Sequence, residues 1–383
     1  MKTEKLATAT QRVSLAEVFS EIPDPRVAGR SKHDLVEMLV ICVCALVCGI
    51  DDFVGIEAWA NERIGWLRKF LTLENGIPSH DTLGRLLGLL DRKAVEKSFR
   101  RWVGDVLPAL AEGGVVAIDG KSSRRSRQAG QHALHMVSAF AAQAGLVLGQ
   151  EACAEKSNEL TAIPALLDAL MLKGVIVTID AMGTHATIAQ AIRDKDADYV
   201  LSVKNNQPKL AESIRTFFEI GQADNWKNVP HSYTESVEKD HGRIEVRRCW
   251  AFDHLDCLSD PQQWPGLTMF GVIEAERTIN GKTSCERRFY IGSIAPDAET
   301  LANTVRAHWS IENRLHWCLD VALNDDQMRA RVENAGANLA TLRRLVLNLF
   351  RLDSSRKPGI HTRRILAASS DTYRETILGL DQV

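Results

Sequence analysis

The spacing of apolar residues divides the chain into parts with different periods. Between residues 14 and 110, apolar residues recur every three or four positions, which predicts amphipathic helices. These segments are 15–19, 35–48, 53–70, 82–90 and 94–110. A glycine, a proline and a capping serine between residues 76 and 82 are typical of a helix boundary, and Gly113-Gly114 ends this part of the chain. The pattern predicts a helical N-terminal domain over residues 1–112.

The period changes at Val115, where short runs rich in β-branched residues begin. Such runs between glycines and polar turns predict strands. The predicted strands are 115–119, 134–141, 146–153, 175–180 and 199–203, with helices at 161–172 and 185–194. Three leading strands followed by alternating strands and helices predict a mixed α/β sheet that begins as an antiparallel meander. This is the order of a ribonuclease-H-like core, of which residues 113–206 would form the first part.

The remaining segments predict an insertion in this core and then its completion. Residues 207–296 favour strands at 245–252, 268–277 and 284–291, and Asn280-Gly281 is a typical hairpin turn. We therefore predict an inserted β-rich subdomain here. Helical spacing returns at 297–321, 338–352 and 360–368. Residues 297–352 would complete the core, and residues 353–383 would form a basic helical tail.

Two of the predicted strands end in an aspartate. Asp119 closes the first strand, and Asp180 closes the strand that begins near Val175. Ligands and catalytic groups usually lie at the carboxyl edge of such a sheet. Glu312, on the predicted helix 297–321, can reach the same edge. Because Mg²⁺ prefers oxygen ligands, three carboxylates at one edge suit metal-dependent phosphoryl transfer.

Each of these acids also has a structural interpretation. A strand-end aspartate is often a turn former or a helix N-cap. Glu312 on a surface helix can simply pair with Arg306 or Arg314. His308, Glu312 and His316 recur at spacings of four and resemble a metal-binding stripe, but the His-Glu-x-x-His pattern of zinc proteases is absent. The spacing alone leaves both interpretations open.

Composition adds few constraints. The net charge of −2 and the 45% apolar content are ordinary for a globular protein, so any DNA-binding surface must be local. Eight cysteines without a Cys-x-x-Cys pair predict reduced, mostly buried thiols in a cytoplasmic protein. The apolar stretch 39–47 is too short to span a bilayer, and residues 1–10 do not resemble a secretory signal.

Basic and polar clusters provide candidate DNA contacts. Arg124 and Arg125 follow Asp119, while Lys156 and Lys204 come just after predicted strands, near the edge where the aspartates emerge. The helical domain carries a further set, namely Arg85, Arg92, Lys93, Lys97, Arg100 and Arg101. The segment 329–383 is basic and includes Arg343-Arg344 and Arg363-Arg364; a nucleic-acid face and a solvated helix face explain it equally well. Asp320, Asp325 and Asp326, at and after a helix C-terminus, suit a metal-side or arginine-paired role, but we favour solvated surface acids.

Several strings together resemble a known family. They are Ala117-Ile118-Asp119-Gly120-Lys121, Glu155-Lys156-Ser157-Asn158-Glu159, Val177-Thr178-Ile179-Asp180-Ala181-Met182-Gly183, Asp198-Tyr199-Val200-Leu201, His241-Gly242-Arg243-Ile244-Glu245 and the run from His308 to Trp317. In the helical domain, Asp24-Pro25-Arg26 and the run from Ile77 to Thr82 match as well. In these strings the chain resembles the H-repeat-associated family of bacterial insertion-sequence DDE transposases.

The resemblance implies a function and a set of partners. The chain would cleave and join DNA at the ends of an insertion element, with Asp119, Asp180 and Glu312 as catalytic residues that bind two Mg²⁺ or Mn²⁺ ions. Its partners would be double-stranded element ends and target DNA, held by a homodimer. The residues assigned to DNA binding are Lys121, Arg124, Arg125, Lys156, Lys204, His241, Arg243, Arg306, Arg314 and His316.

One part of the wider family pattern is missing. Related cut-and-paste enzymes carry Tyr, Arg and Lys around the glutamate, where this chain has Val305, His308 and Leu319. Arg306, Arg314 and His316 lie nearby and are candidates to replace them. Two alternatives to a transposase remain open: a DNA-binding protein of transposase origin without catalysis, and a ribonuclease-H-like nuclease that cuts DNA without joining it.

Overall fold

The computed structural model describes residues 14–107, 109–127, 133–153, 159–240 and 242–380. Within these ranges the predicted ribonuclease-H-like α/β fold is confirmed, with a mixed sheet, flanking helices and a helical N-terminal part. All eight cysteines lie in described segments and are free thiols, as predicted. No helix of these ranges combines the length and apolarity needed to cross a membrane.

Helices precede the sheet, and side-chain oxygens cap most of them. Ser14, Asp34, Asp52, Ser79 and Asp91 each accept a hydrogen bond from a backbone N–H of the first turn. The predicted helix 53–70 is in fact two helices, because the backbone leaves the helical region at the residue between them. The helices are α1 (Leu15–Ser20), α2 (Leu35–Val47), α3 (Phe53–Glu62), α4 (Ile64–Leu67), α5 (His80–Leu89) and α6 (Arg92–Val106).

One mixed sheet forms the centre of the described structure. Its strands are β1 (Val115–Ser122), β2 (His135–Ala141), β3 (Leu146–Cys153), β4 (Ile176–Ile179), β5 (Asp198–Val203), β6 (Ser232–Asp240), β7 (Arg243–Phe252), β8 (Met269–Ile279) and β9 (Lys282–Gly292). Helices α7 (Glu159–Asp168) and α8 (Ala186–Arg193) connect strands β3, β4 and β5. The spatial order is β3-β2-β1-β4-β5-β9-β8-β7-β6. Strands β1, β4 and β5 are parallel, and the other pairs are antiparallel.

The segment predicted as an insertion extends the core sheet. After α9 (Pro208–Ala223), strands β6 to β9 form an antiparallel meander, and β9 pairs with β5. Asn280 and Gly281, both with positive φ, form the predicted hairpin turn, and Ile279 pairs with Lys282. Strand β6 was not predicted. It is the edge strand of the sheet, and polar residues on both of its faces hide the usual alternation.

The C-terminal helices connect the sheet with the N-terminal helices. They are α10 (Ala298–Ile311), α11 (Trp317–Leu323), α12 (Ala335–Leu352), α13 (Ile360–Ser369) and α14 (Asp371–Leu378). Nearly every residue of α12 is buried, because it packs against α2, α5 and α6 on one side and β3 on the other. The N-terminal helices and the sheet therefore share one apolar core.

The two arginine pairs of the predicted basic segment are buried, so neither interpretation holds for these four residues. Arg363 donates to the carboxylate of Asp353 (2.5 Å) and to the hydroxyl of Tyr373 (2.8 Å). Arg364 donates to the carbonyl of Leu46 and to Asp51. The sequence could not reveal these partners, since most of them lie far away along the chain. Among the described residues five arginines are buried, namely Arg343, Arg344, Arg363, Arg364 and Arg374.

A buried carboxyl in α6 gives a pH-dependent prediction. Glu96 is 5% exposed, and burial raises its pKa from an ordinary 4.5 to about 8. Because the folded state holds this proton more tightly than the unfolded state, stability is lost as pH rises from about 4.5 to about 8. We expect Glu96→Gln to be more stable than wild type in urea at pH 8, with the difference shrinking toward pH 5. Exposed Glu74→Gln is the control, and parallel pH profiles for wild type and Glu96→Gln would contradict the prediction.

Candidate functional site

The register between β1 and β4 brings Asp119 and Asp180 to one edge of the sheet. The strands are parallel and Ile118 pairs with Ile179, so the aspartates occupy equivalent next positions. Asp119 lies within β1, which continues three residues beyond its predicted end. Asp180 caps a short 3-10 turn: its Oδ1 accepts from the N–H groups of Met182 (3.0 Å) and Gly183 (3.4 Å). It therefore has the predicted capping role as well as a place at this edge.

Small residues follow both aspartates for packing reasons. A Cβ on Gly120 would collide with the side chains of His135 and Glu159, and one on Gly183 would collide with Ile179. These close contacts could not be predicted from the sequence, and only the fold reveals them. Both glycines allow the chain next to each carboxylate to lie against neighbouring side chains.

Glu312 begins a π-helical turn, Glu312–His316, between α10 and α11. The Trp317 N–H donates to the Glu312 carbonyl, which is the i to i+5 bond of a π-helix. This turn interrupts the helix predicted over 297–321. His316 Nδ1 lies 3.4 Å from Glu312 Oε2 and 3.5 Å from Asp119 Oδ2. One ligand atom each from Asp119, Glu312 and His316 lie within 4.8 Å of one another, close enough to hold a metal ion.

The electrostatics of this cluster favour a cation. Burial raises the pKa of Asp119 to about 6; the charge of His316 opposes this shift, and the charges of Asp180 and Glu312 add to it. The hydrogen bond with His316 lowers the pKa of Glu312. Carboxylate oxygens are ligands that Mg²⁺ and Mn²⁺ prefer, so the donor set fits such ions. A bound cation would relieve the repulsion among the three acids.

His308 is separate from this cluster. Its Nδ1 lies 2.9 Å from the Thr178 hydroxyl of β4, two residues before Asp180. Burial lowers the pKa of His308 to about 4, so the ring is neutral near pH 7. Of the predicted stripe, Glu312 and His316 thus reach Asp119, whereas His308 joins α10 to β4.

The three acids after Glu312 were wrongly interpreted as solvated. Asp325 is 1% exposed, accepts from the Ser123 hydroxyl at 2.9 Å and faces Arg343 at 3.5 Å. Lys121 Nζ lies 2.6 Å from Asp320 and 3.3 Å from Asp326. The side chain of Lys121 is 8% exposed, so this candidate DNA contact is already engaged within the protein.

The other candidate DNA contacts fall into two groups. Arg124, Arg125 and Lys204 are exposed near the carboxylate edge, and Arg124 lies 3.5 Å from Asp326. Three others have protein partners: Arg243 lies 3.6 Å from Glu245, Arg306 pairs with Glu238, and Arg314 donates to the Ala142 carbonyl at 2.5 Å. Lys156 and His241 lie outside the described residues.

A cavity next to Asp180 contains further cations. Its volume is about 570 Å³, and it adjoins the 3-10 turn that Asp180 caps. Lys204, Arg215, Arg287 and Arg288 line it, with one acid, Glu286. The three arginines had not been identified, because their positions on α9 and β9 become neighbours only in the folded sheet.

A buried polar chain behind Asp119 was also missed. The Ser122 hydroxyl lies 2.7 Å from His135 Nδ1, and His135 Nε2 lies 2.6 Å from Glu159 Oε1. These residues join β1, β2 and α7 on the face of β1 that Gly120 occupies. Glu159 was part of a family string, but no sequence signal connects it with His135. The contacts among Ser122, His135 and Glu159 hold in place the part of β1 that carries Asp119.

Comparisons with known proteins agree with this architecture. The family described as "Transposase DDE domain" matches residues 111–349, and the domain described as "DDE_Tnp_1-associated" matches residues 16–103. The first match spans the sheet, the candidate site and α10 to most of α12. The second covers nearly all of the N-terminal helices.

Curated relatives are similar along nearly the whole chain. "Putative transposase YncI" of Escherichia coli O157:H7 is 39% identical, over 95% of this chain and 94% of the relative. "H repeat-associated putative transposase YhhI" of Escherichia coli K12 is 35% identical, over 95% and 97%. A solved piggyBac transposase synaptic complex with hairpin DNA gives a TM-score of 0.41 at 10% identity, covering 96% of this chain and 77% of that chain. The chain belongs to the DDE transposases, in the H-repeat-associated group.

Proposed function

We propose that this chain cleaves DNA at the ends of an insertion element and joins those ends to target DNA. The observation that carries the proposal is the meeting of acids from three elements at one edge of the sheet. Asp119 and Asp180 come from paired strands, and Glu312 comes from the start of the π-helical turn. In this proposal the three acids are the catalytic residues and hold two Mg²⁺ or Mn²⁺ ions.

Such ions, when bound, activate the attacking water or 3′-hydroxyl and stabilise the leaving oxygen. The protein's own part is to hold the carboxylates in place. We assign His316 to this positioning rather than to DNA contact, because it is buried and lies between Asp119 and Glu312. His308 fixes α10 on β4, so Glu312 stays above the strand that leads to Asp180.

Exposed cations around the carboxylate edge suit a phosphate backbone. We assign Arg124, Arg125 and Lys204 to DNA contact. The three arginines that line the cavity beside Asp180 already pair with glutamates, so they gain less from a phosphate. Arg243, Arg306 and Arg314 remain candidate contacts that would first have to exchange a protein partner for phosphate. Lys156 and His241 keep the same proposed role from their sequence positions. Since an element has two ends, we propose a homodimer in the assembled complex, acting on DNA in the cytoplasm.

The test is a reaction of the purified chain with a plasmid that carries both element ends. With Mg²⁺ or Mn²⁺ we expect nicks at the ends and products in which the ends are joined to new DNA, and with EDTA we expect neither. End cleavage without any joined product would identify the nuclease alternative. Binding of the ends without cleavage under either metal would identify the non-catalytic alternative and overturn the proposal.

A further inference from the structure

Three of the six cations that were predicted to form an N-terminal DNA face are engaged with acids. Arg92 lies 3.9 Å from Glu151, and Arg100 lies 3.9 Å from Glu96. Arg101 forms an ion pair with Glu21. A cation that already has a carboxylate partner gains less from a phosphate, because the existing pair must first be broken. Another surface of the same helices is better suited to DNA.

That surface is a groove between the 25–33 loop and α5, with a volume of about 560 Å³. Its basic side chains, which together with this groove we call the basic groove, are Arg30, Lys32, His33 and Arg85. No acid lines it, and none of the four forms an ion pair with any carboxylate in the described part of the chain. Arg26 also lines the groove, but Asp24 holds it at 2.8 Å. The floor includes Val27 and Leu89, which are 63% and 52% exposed.

A second cavity connects the basic groove with the catalytic edge. Arg85 lines both cavities, and the second, of about 420 Å³, adds Arg329 and Arg331. Arg331 donates to the carbonyl of Arg125 at 2.9 Å, in the segment that directly follows β1. Cations therefore continue from the segment after Asp119, through residues 329–331, to α5 and the 25–33 loop.

The acids that line this second cavity each have a partner of their own within the protein. Asp51 is held by Arg364, and Asp52 caps α3 through the Gly55 N–H. Asp81 is exposed at the start of α5 and lies 3.6 Å from His80. Asp52 and Asp81 are both exposed in this cavity, whereas the described lining of the basic groove includes no acid.

We propose that the basic groove holds the phosphate backbone of the same DNA duplex whose end lies at Asp119, and this rests on the proposed function. Duplex DNA carries one negative charge per about 1.7 Å of axis. The side chains of the basic groove, which form no ion pair with a carboxylate of the described residues, therefore gain from each phosphate that they meet. The apolar floor suits the sugar faces between phosphates. Backbone contacts of this kind provide affinity and orientation, and they do not read the base sequence.

The test compares two double variants of the full-length chain by fluorescence anisotropy. The probe is a labelled 40-base-pair duplex that carries the element end, in Ca²⁺ buffer. Arg30→Ala/Arg85→Ala removes two cations of the basic groove, and Lys173→Ala/Lys227→Ala removes two exposed cations elsewhere. Lys173 lies three residues before β4, the strand that leads to Asp180, and so lies near the opposite edge of the sheet. Each lost phosphate contact lowers the slope of log affinity against log salt by about 0.9, so we expect a decrease of about 2 for the groove variant.

The control variant should keep the wild-type slope, and the groove variant should bind about 10-fold to 100-fold more weakly at about 0.1 M salt. An equal loss on an unrelated duplex of the same length would support backbone contact. If wild type binds the end and the groove variant binds it with the same affinity and slope, the groove proposal fails while the proposed function stands. If wild type binds no DNA, both fail.

Discussion

Asp119→Asn, Asp180→Asn and Glu312→Gln will each lower the rate of end cleavage by at least about 10²-fold to 10³-fold, a loss comparable to removing one charge-stabilising group. The reason is that each change removes one negative charge from the proposed metal site and leaves side-chain volume almost unchanged. Asn at position 180 still offers an oxygen to the Met182 N–H, so the cap and the fold should persist. The measurement is single-turnover cleavage of an element-end duplex in Mg²⁺ and in Mn²⁺.

The control for this prediction is Asp168→Asn. Asp168 ends α7, and its side chain is 89% exposed beside Lys195, so its loss should leave cleavage unchanged. All four variants should bind end DNA in Ca²⁺ buffer as well as wild type, which separates lost chemistry from lost folding. Wild-type cleavage by Asp180→Asn would exclude the proposed role of the three acids.

Arg364→Met will destabilise the chain by about 3–5 kcal/mol, the typical result of removing one partner of a buried ion pair. Arg364 is 4% exposed, and its guanidinium lies 2.6 Å from Asp51. It also donates to the carbonyls of Leu46 and Ala322 near the ends of α2 and α11. Met fills much of the space and replaces none of these bonds. Urea unfolding followed by circular dichroism measures the loss.

Two further variants test the cause. Arg356→Met removes an exposed arginine and should change the free energy of unfolding by less than about 0.5 kcal/mol. Asp51→Asn/Arg364→Met should be more stable than Arg364→Met alone, because the uncompensated buried carboxylate is gone. If Arg364→Met unfolds at the same urea concentration as Arg356→Met, the buried pair does not have this role.

The sequence was most informative where local pattern and chemistry coincide. The parallel strands that lead to Asp119 and Asp180 are visible as β-branched runs followed by a carboxylate, and their register follows from the fold type. Helix caps such as Ser79 and Asp34 are equally local. For these features the determining residues lie within a few positions of one another, so periodicity and capping rules are sufficient.

Features that depend on distant partners could not be predicted. Arg364 is a core residue only because Leu46 and Asp51 lie beside it, more than 300 positions earlier. Lys121 resembled a DNA contact, and folding instead places it against Asp320 and Asp326. His316 shares a helical spacing with His308, yet the π-helical turn brings only His316 to Asp119. In each case a long-range contact determines the role of a side chain whose local sequence is ambiguous.

The π-helical turn also adjusts the rotational phase of one long helical segment. Before it, α10 packs on β1; after it, Asp320 in α11 reaches Lys121. In a regular α-helix each residue is rotated by about 100° around the helix axis relative to the residue before it. The contact of α10 with β1 and the contact of Asp320 with Lys121 therefore need not fit one uninterrupted α-helix. The π-helical turn accommodates this difference in rotation between α10 and α11. Glu312 begins that turn and His316 ends it, so the change of phase occurs in the same five residues that bring these two side chains to Asp119.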